Sequence, residues 1–346
     1  MNGHIGPGPS NGVVVDMRPD EPYADHPGPS TSAAPAVNGF AEPLSPYQLH
    51  HEDIVNHLYH AGFQTGNYAD TILHFHQNAY RLHAIILSRS PFLAHMMSTS
   101  PQTSGQRVVV VRFENEPEIT DEGFAIALGY LYSSHSLSMI NPGNARAVLA
   151  AGCLLGGMDE LCNYAYEVCR QSISMENISE WLDFVDSIPP SSDGTSTPVD
   201  PHQLPPSRTA IFGSYAARLK GDVFHYLVAT LPNMLNVGGQ ATPVSPHPDG
   251  QHSDAGRDTL LQVYSRVPFD LFKAAVESPK FQIGSDQSRF KFAKEAIDLR
   301  KQGIARGQGA EETVVLAFGG GNFGGGSVHV HVTRKLRKRP LWKVNS

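Results

Sequence analysis

The chain has 346 residues, 40% of them hydrophobic, with 32 glycines and 26 prolines unevenly spread. Its net charge of −7 hides an asymmetry: Arg334, Lys335, Arg337, Lys338, Arg339 and Lys343 supply six bases and no acid follows them, leaving −13 on the rest. A body of that sign excludes nucleic-acid binding by bulk field, and the longest apolar stretch, residues 147–158, is shorter than the roughly 18 residues a membrane helix needs.

Residues 1–46 are dominated by Gly, Pro, Ser and Asp and show no periodicity, the composition of a disordered arm that buries too little to offset its ordering entropy. Residues 47–62 place Leu49, Ile54, Leu58 and Tyr59 near helical spacing and end on Gly62, predicting a short amphipathic helix with a glycine cap. In "TILHFHQNAYRL", Ile72, His74 and His76 alternate with Thr71, Leu73 and Phe75, a hairpin pattern with Gln77-Asn78 at its turn. Ser90-Pro91 then reads as an N-cap followed by proline at the first position of a helix over 91–97.

"GQRVVVVRF", residues 105–113, is β-branched throughout and predicts a strand buried on both faces. Residues 119–134 keep Phe124, Ala127, Leu128 and Leu131 on one helical stripe after an acidic first turn. Residues 141–174 predict two helices broken at Gly156-Gly157, the second carrying Met158, Leu161, Cys162, Ala165 and Cys169 on one stripe, and a short helix follows within 174–187. Residues 188–207 are an insertion by composition. A long helix with Phe212, Tyr215, Leu219, Val223 and Leu227 in register comes next, then a second polar insertion over 236–256. Helices of about ten to twelve residues are expected beyond it, with Pro268 in a first turn, and two terminal strands are joined by "GGGNFGGG".

The chemistry-bearing motifs are sparse. The glycine tract lacks the Lys-Ser/Thr of a phosphate loop and precedes a strand, so it reads as a hairpin turn. His74 with His76, and His329 with His331, pair on strand faces without the third or fourth ligand that zinc requires, so no metal and no cofactor is expected. Cys153, Cys162 and Cys169 have no CxxC spacing; they read as core thiols in a reducing, intracellular setting, cytoplasmic, nuclear or both. With no nucleophile or zincin motif, the expectation is a protein that is not an enzyme. The run "RKLRKRP", carrying Arg334, Lys335, Arg337, Lys338 and Arg339, suits either nuclear import and phosphate contact or a charged end that discourages strand addition.

Over residues 65–172 the chain resembles the BTB/POZ family: Asp70 before the first strand, the hairpin, His83, Leu87, Ser90 and Phe92 stand in the family's order. Residues 173–303 look like the helical BACK-type extension of germ-cell-less-like and fungal members. The resemblance implies an α+β fold: a BTB/POZ module over 47–172 with a small sheet flanked by helices, a mostly helical BACK-like region, and a C-terminal β-hairpin with basic tail over 304–346. It also implies a non-catalytic adaptor with protein partners, among them a second copy of itself, and recruitment of a cullin-type ubiquitin ligase. "MMSTSPQTSGQ" lacks the hydrophobic-x-Glu sequence that cullin-binding members carry. A nuclear regulator using the basic tail is the alternative, and no membrane role is expected.

Overall fold

The structure is a computed structural model and describes residues 45–100, 102–103, 105–112, 116–189, 207–237, 251–304, 310–318 and 328–336. The arm over 1–44, most of both insertions, the glycine tract, and Arg337, Lys338 and Arg339 lie outside the described residues.

Helix α1 (Pro46–His57) continues as a π-helical stretch over Leu58–Gln64. The sequence placed the helix end at Gly62, yet the backbone stays helical past it. The turn falls instead at Gly66, whose φ is +64° and where a Cβ would sit 2.6 Å from the Cβ of Arg81. Only glycine meets both demands.

Strands β1 (Thr71–Phe75) and β2 (Asn78–Leu82) form the expected antiparallel hairpin. Its turn is displaced by one residue, to His76-Gln77. His76 has φ +48° and sets Nδ1 2.7 Å from Asp121, so it leaves the strand face it was expected to share with His74. Helices α2 (Ala84–Leu87) and α3 (Pro91–Thr99) follow, then the two-residue strand β3 (Gln102–Thr103) and β4 (Gln106–Val111). The sheet order is β2-β1-β4-β3, with β1 and β4 parallel. Thr71, Leu73, Phe75, Val109 and Val111 are buried on one side. The expectation that β4 is covered on both faces fails: Val108 and Val110 are 43% and 45% exposed, because among the described residues the helices pack on one face alone.

Helices α4 (Asp121–Tyr132), α5 (Ala145–Leu155), α6 (Asp159–Ser172) and α7 (Ile178–Asp186) match the periodicity of the sequence. The α5–α6 break is made by Gly156 and Gly157, both at positive φ; a Cβ at Gly157 would lie 2.8 Å from the carbonyl oxygen of Arg89, so the bare backbone lets this turn rest on the α2–α3 connection. The long helix expected after the first insertion is α8 (Ser214–His225), extended by a π stretch (Tyr226–Thr230) and α9 (Leu231–Met234). Helix α10 (Gln251–Arg266) begins inside the span assigned to the second insertion. Pro268 is the N-cap of α11 (Phe269–Glu277) rather than a first-turn residue, and α12 (Asp286–Ile304) runs 19 residues, longer than expected.

Strands β5 (Ala310–Phe318) and β6 (Val328–Leu336) pair antiparallel and lie against α11 and α12. Arg300, 6% exposed, anchors them: its Nε donates to Glu312 Oε2 at 2.7 Å, and Nη1 reaches the carbonyls of Tyr264, Ser265 and Val267 at the end of α10. A buried charge pair of this kind persists because its remaining donors also find partners. The whole is α+β: a small mixed sheet and its helices, a helical region, and a terminal strand pair.

Candidate interaction surface

The residues that carried the sequence resemblance converge on the junction where the hairpin enters the helices. Asp70 Oδ1 accepts from the backbone N–H of Ala84 at 2.7 Å and from Thr71 Oγ1 at 2.9 Å, satisfying an otherwise unpaired donor at the start of α2. His83 is held from both ring nitrogens. Nε2 lies 2.8 Å from the carbonyl of Asn67, an obligate acceptor, so Nε2 carries the proton; Nδ1 then accepts from the Tyr132 hydroxyl at 3.0 Å. The same hydroxyl accepts from the His83 backbone N–H at 2.9 Å, and burial pushes its pKa well above the usual tyrosine range. Leu87 is fully buried and Phe92 packs half-buried against the same core. Ser90, also fully buried, caps α3 by accepting from Leu93 N–H at 3.2 Å and donates to the carbonyl of Leu155 at 2.5 Å.

These side chains therefore brace strand, helix and the α5 terminus against one another and present little to solvent. Tyr132, Asn67 and the Leu155 carbonyl complete the arrangement, and sequence reasoning missed them. Tyr132 was visible only as the last aromatic of an apolar helix, and backbone acceptors leave no sequence signal at all.

Outside the brace, several large apolar side chains stand exposed. Helix α1 has no buried residue; Tyr47, Leu49 and Ile54 on it are 82%, 54% and 43% exposed, and Ile85 and Tyr68 beyond it reach 77% and 95%. Tyr68 and Ile85 line a nearly wholly apolar groove of about 160 Å³, with Leu58, Ala61 and Ile86 among its other walls. An amphipathic helix ordinarily owes its stability to the face it buries, and this one buries none within its own chain.

A second cleft, of about 360 Å³, is lined by Glu118, Arg146, Asn177 and Trp181 among others. Glu118, 6% exposed, pairs with Arg146 at 2.8 Å and lies 3.2 Å from Arg208, whose Nε is an ion-pair neighbour rather than a hydrogen-bond donor. Arg146 also lies 5.7 Å over the Trp181 ring. A carboxylate engaged with two guanidinium groups ties α5 to the chain returning from the first insertion. On the terminal strand pair, Arg334 lies 5.2 Å over Phe269 and 3.9 Å from Glu312, and Lys335 is on β6 across from Glu311. Among the described residues no group of three His, Cys, Asp or Glu side chains is placed to hold a metal, and no helix is long and apolar enough to cross a membrane.

No protein-family model matches the chain. Individual proteins do: it is 27% identical over 299 residues to BTB/POZ domain-containing protein 2 of Schizosaccharomyces pombe, covering 85% of this chain and 92% of that protein. These matches support the resemblance of the chain to BTB/POZ proteins. Human germ cell-less protein-like 2 is 24% identical over 169 residues, about half of this chain and 30% of the human protein. The fungal match extends well past residue 172 in length, so the likeness takes in helical region as well as BTB/POZ module. BTB/POZ proteins are, as a family, protein-interaction modules.

Proposed function

We propose that the chain is a non-catalytic adaptor that pairs with a second copy of itself through the α1 face and offers its helical region to a further protein. The observation that carries this reading is a twelve-residue helix with no buried residue, flanked by Ile85 and Tyr68 and an apolar groove. Exposed apolar area of that continuity marks an interaction surface, and a two-fold contact covers one patch with its own copy. The test is light scattering of the full chain at micromolar concentration, with the Ile54→Asp/Ile85→Asp variant beside it. The expected result is a dimer that the variant converts to a monomer with unchanged helical content; a strictly monomeric parent chain overturns the proposal.

The finer reading is recruitment of a cullin-type ubiquitin ligase, supported by the family's habit and opposed by the sequence after α3. Co-purification of a cullin with the tagged chain from cell extract distinguishes ligase adaptor from simple scaffold. A nuclear role rests on Arg337, Lys338 and Arg339; changing all three to alanine should move the protein out of the nucleus if they act as an import signal, and an unchanged distribution counts against it.

A further inference from the structure

Helices α8 and α11 flank an open, mostly apolar groove of about 440 Å³. Gly221 and Phe224 of α8 and Leu271 and Ala274 of α11 are among its walls, with Lys220 and Asp270 as its charged members. Gly221 sits inside α8, and a Cβ there would meet no heavy atom within 4 Å, so the wall at that point is bare backbone facing open space.

Strand β6 delivers the chain to this place. It runs antiparallel to α11: Val332 is bonded to Lys273 and Glu277 near the end of the helix, and two residues later Arg334 lies 5.2 Å over Phe269 at its start. Phe269 is followed directly by the exposed Asp270 of the groove. Beyond Leu336 the sequence reads "RKRPLWKVNS", in which the bases of residues 337–339 give way to Pro340, Leu341 and Trp342 before Lys343. The five residues from Leu336 to Leu341 can reach up to about 17 Å, roughly twice the ~7.5 Å of helix that separates Phe269 from Ala274.

We infer that the chain's own tail, through Leu341 and Trp342, docks in the α8–α11 groove with Lys343 beside Asp270. The apolar pair meets apolar walls, and the base next to it meets the acid of the groove. The contact need not be tight: a tether this short holds the pair at an effective concentration of order millimolar, so a groove with a Kd of about 0.1 mM is occupied about ten to one. A protein that binds the helical region at this groove must displace the tail, which makes the tail an internal competitor. The inference stands apart from pairing through α1, because this groove shares no residue with the one beside that helix.

The test uses the full chain, isotope-labelled and unlabelled in equal parts, treated with a carbodiimide that joins a lysine amine to a carboxylate in direct contact. Peptide mapping should find an amide from Lys343 to Asp270 whose two peptides carry the same label. Acrylamide should quench tryptophan emission weakly, and because the second tryptophan, Trp181, is itself only 5% exposed, weak quenching of the whole chain reports a covered Trp342. Gly221→Arg stands a long cationic side chain in the groove while replacing a helix-weakening glycine; the amide yield should fall about tenfold and quenching should rise. Trp342→Ser removes the apolar anchor without touching a described residue and should lower the amide yield likewise, so the inference stays testable should Gly221→Arg misfold. Amides of mixed label would put the tail on a second copy, amides from Lys343 to other acids alone would put it elsewhere, and equal quenching of the parent chain and Gly221→Arg would leave it undocked; each overturns the inference.

Discussion

The two ends of the described chain treat their surfaces in opposite ways. At the N-terminal end α1 buries none of its side chains, and the outer face of the sheet shows Val108 and Val110 to solvent. At the C-terminal end even a strand edge is closed. The outward N–H of Val332 on β6 donates to Glu277 Oε1 at 2.8 Å, and its carbonyl accepts from Lys273 Nζ at 3.2 Å, so one ion pair of α11 fills the place of a neighbouring strand. Strand edges left open recruit other chains. A capped position on β6, together with the exposed Tyr47, Leu49 and Ile54 of α1, is what the proposed pairing through α1 requires.

The comparison breaks most sharply at Arg300. Arg300→Ala leaves Glu312 buried at 3% exposure with Arg334, at 3.9 Å, as its remaining counter-charge among the described residues, and it frees three carbonyls at the end of α10. Removing one member of a buried pair costs about 3–5 kcal/mol, readable as a lower urea midpoint. The Arg300→Met/Glu312→Leu double variant should recover most of the loss, since no orphaned charge remains. If the single variant were as stable as the parent chain, the pair would not be what holds the strand pair to the helices.

The corresponding anchor at the N-terminal end is uncharged, so its loss should cost less. Ser90→Ala removes the cap of α3 and leaves the Leu155 carbonyl without its donor, an expected loss of about 1–2 kcal/mol by thermal denaturation. Ser90→Thr, which keeps the hydroxyl, should retain part of it. Because Ser90 is fully buried, neither change should alter the proposed dimer once the chain is folded; a monomeric but folded Ser90→Ala protein would mean that brace and interface are one structure.

Those two anchors also show what was legible beforehand. Ser90-Pro91 announced a helix start because capping is local, decided by one hydroxyl and an N–H three residues on. Helices α4 to α6 were legible because an apolar stripe at 3.6-residue spacing reports the face it buries. The Arg300–Glu312 pair was hidden, since nothing in an exposed-looking "DLRKQG" says that a strand will fold back over one of its charges. The four valines of β4 misled in the opposite direction: a β-branched run records strand propensity, and whether both faces are covered depends on how many layers the fold supplies. The outward face of α1 was half legible. Its apolar residues had helical spacing, but an intramolecular core and a partner's surface demand the same spacing.

The finest test lies at the capped edge. Lys273→Met keeps the apolar stem and removes the donor to the Val332 carbonyl, while Glu277 retains its bonds to the Val332 N–H and to His331 Nδ1 at 2.9 Å. Both members of the Lys273–Glu277 pair are partly exposed, at 34% and 25%. Solvent screens such a pair, and its loss should cost no more than about 0.5 kcal/mol, a small shift in melting temperature that diminishes further in high salt. Its effect on association should exceed its effect on stability, because an unpaired carbonyl on β6 becomes available to a foreign strand. Light scattering should therefore find Lys273→Met forming slow, concentration-dependent aggregates that Ile54→Asp/Ile85→Asp does not suppress, whereas that same pair of changes dissolves the dimer. Aggregation abolished by the α1 changes would mean that both ends feed a single surface, and the contrast between an open end and a closed one would be lost.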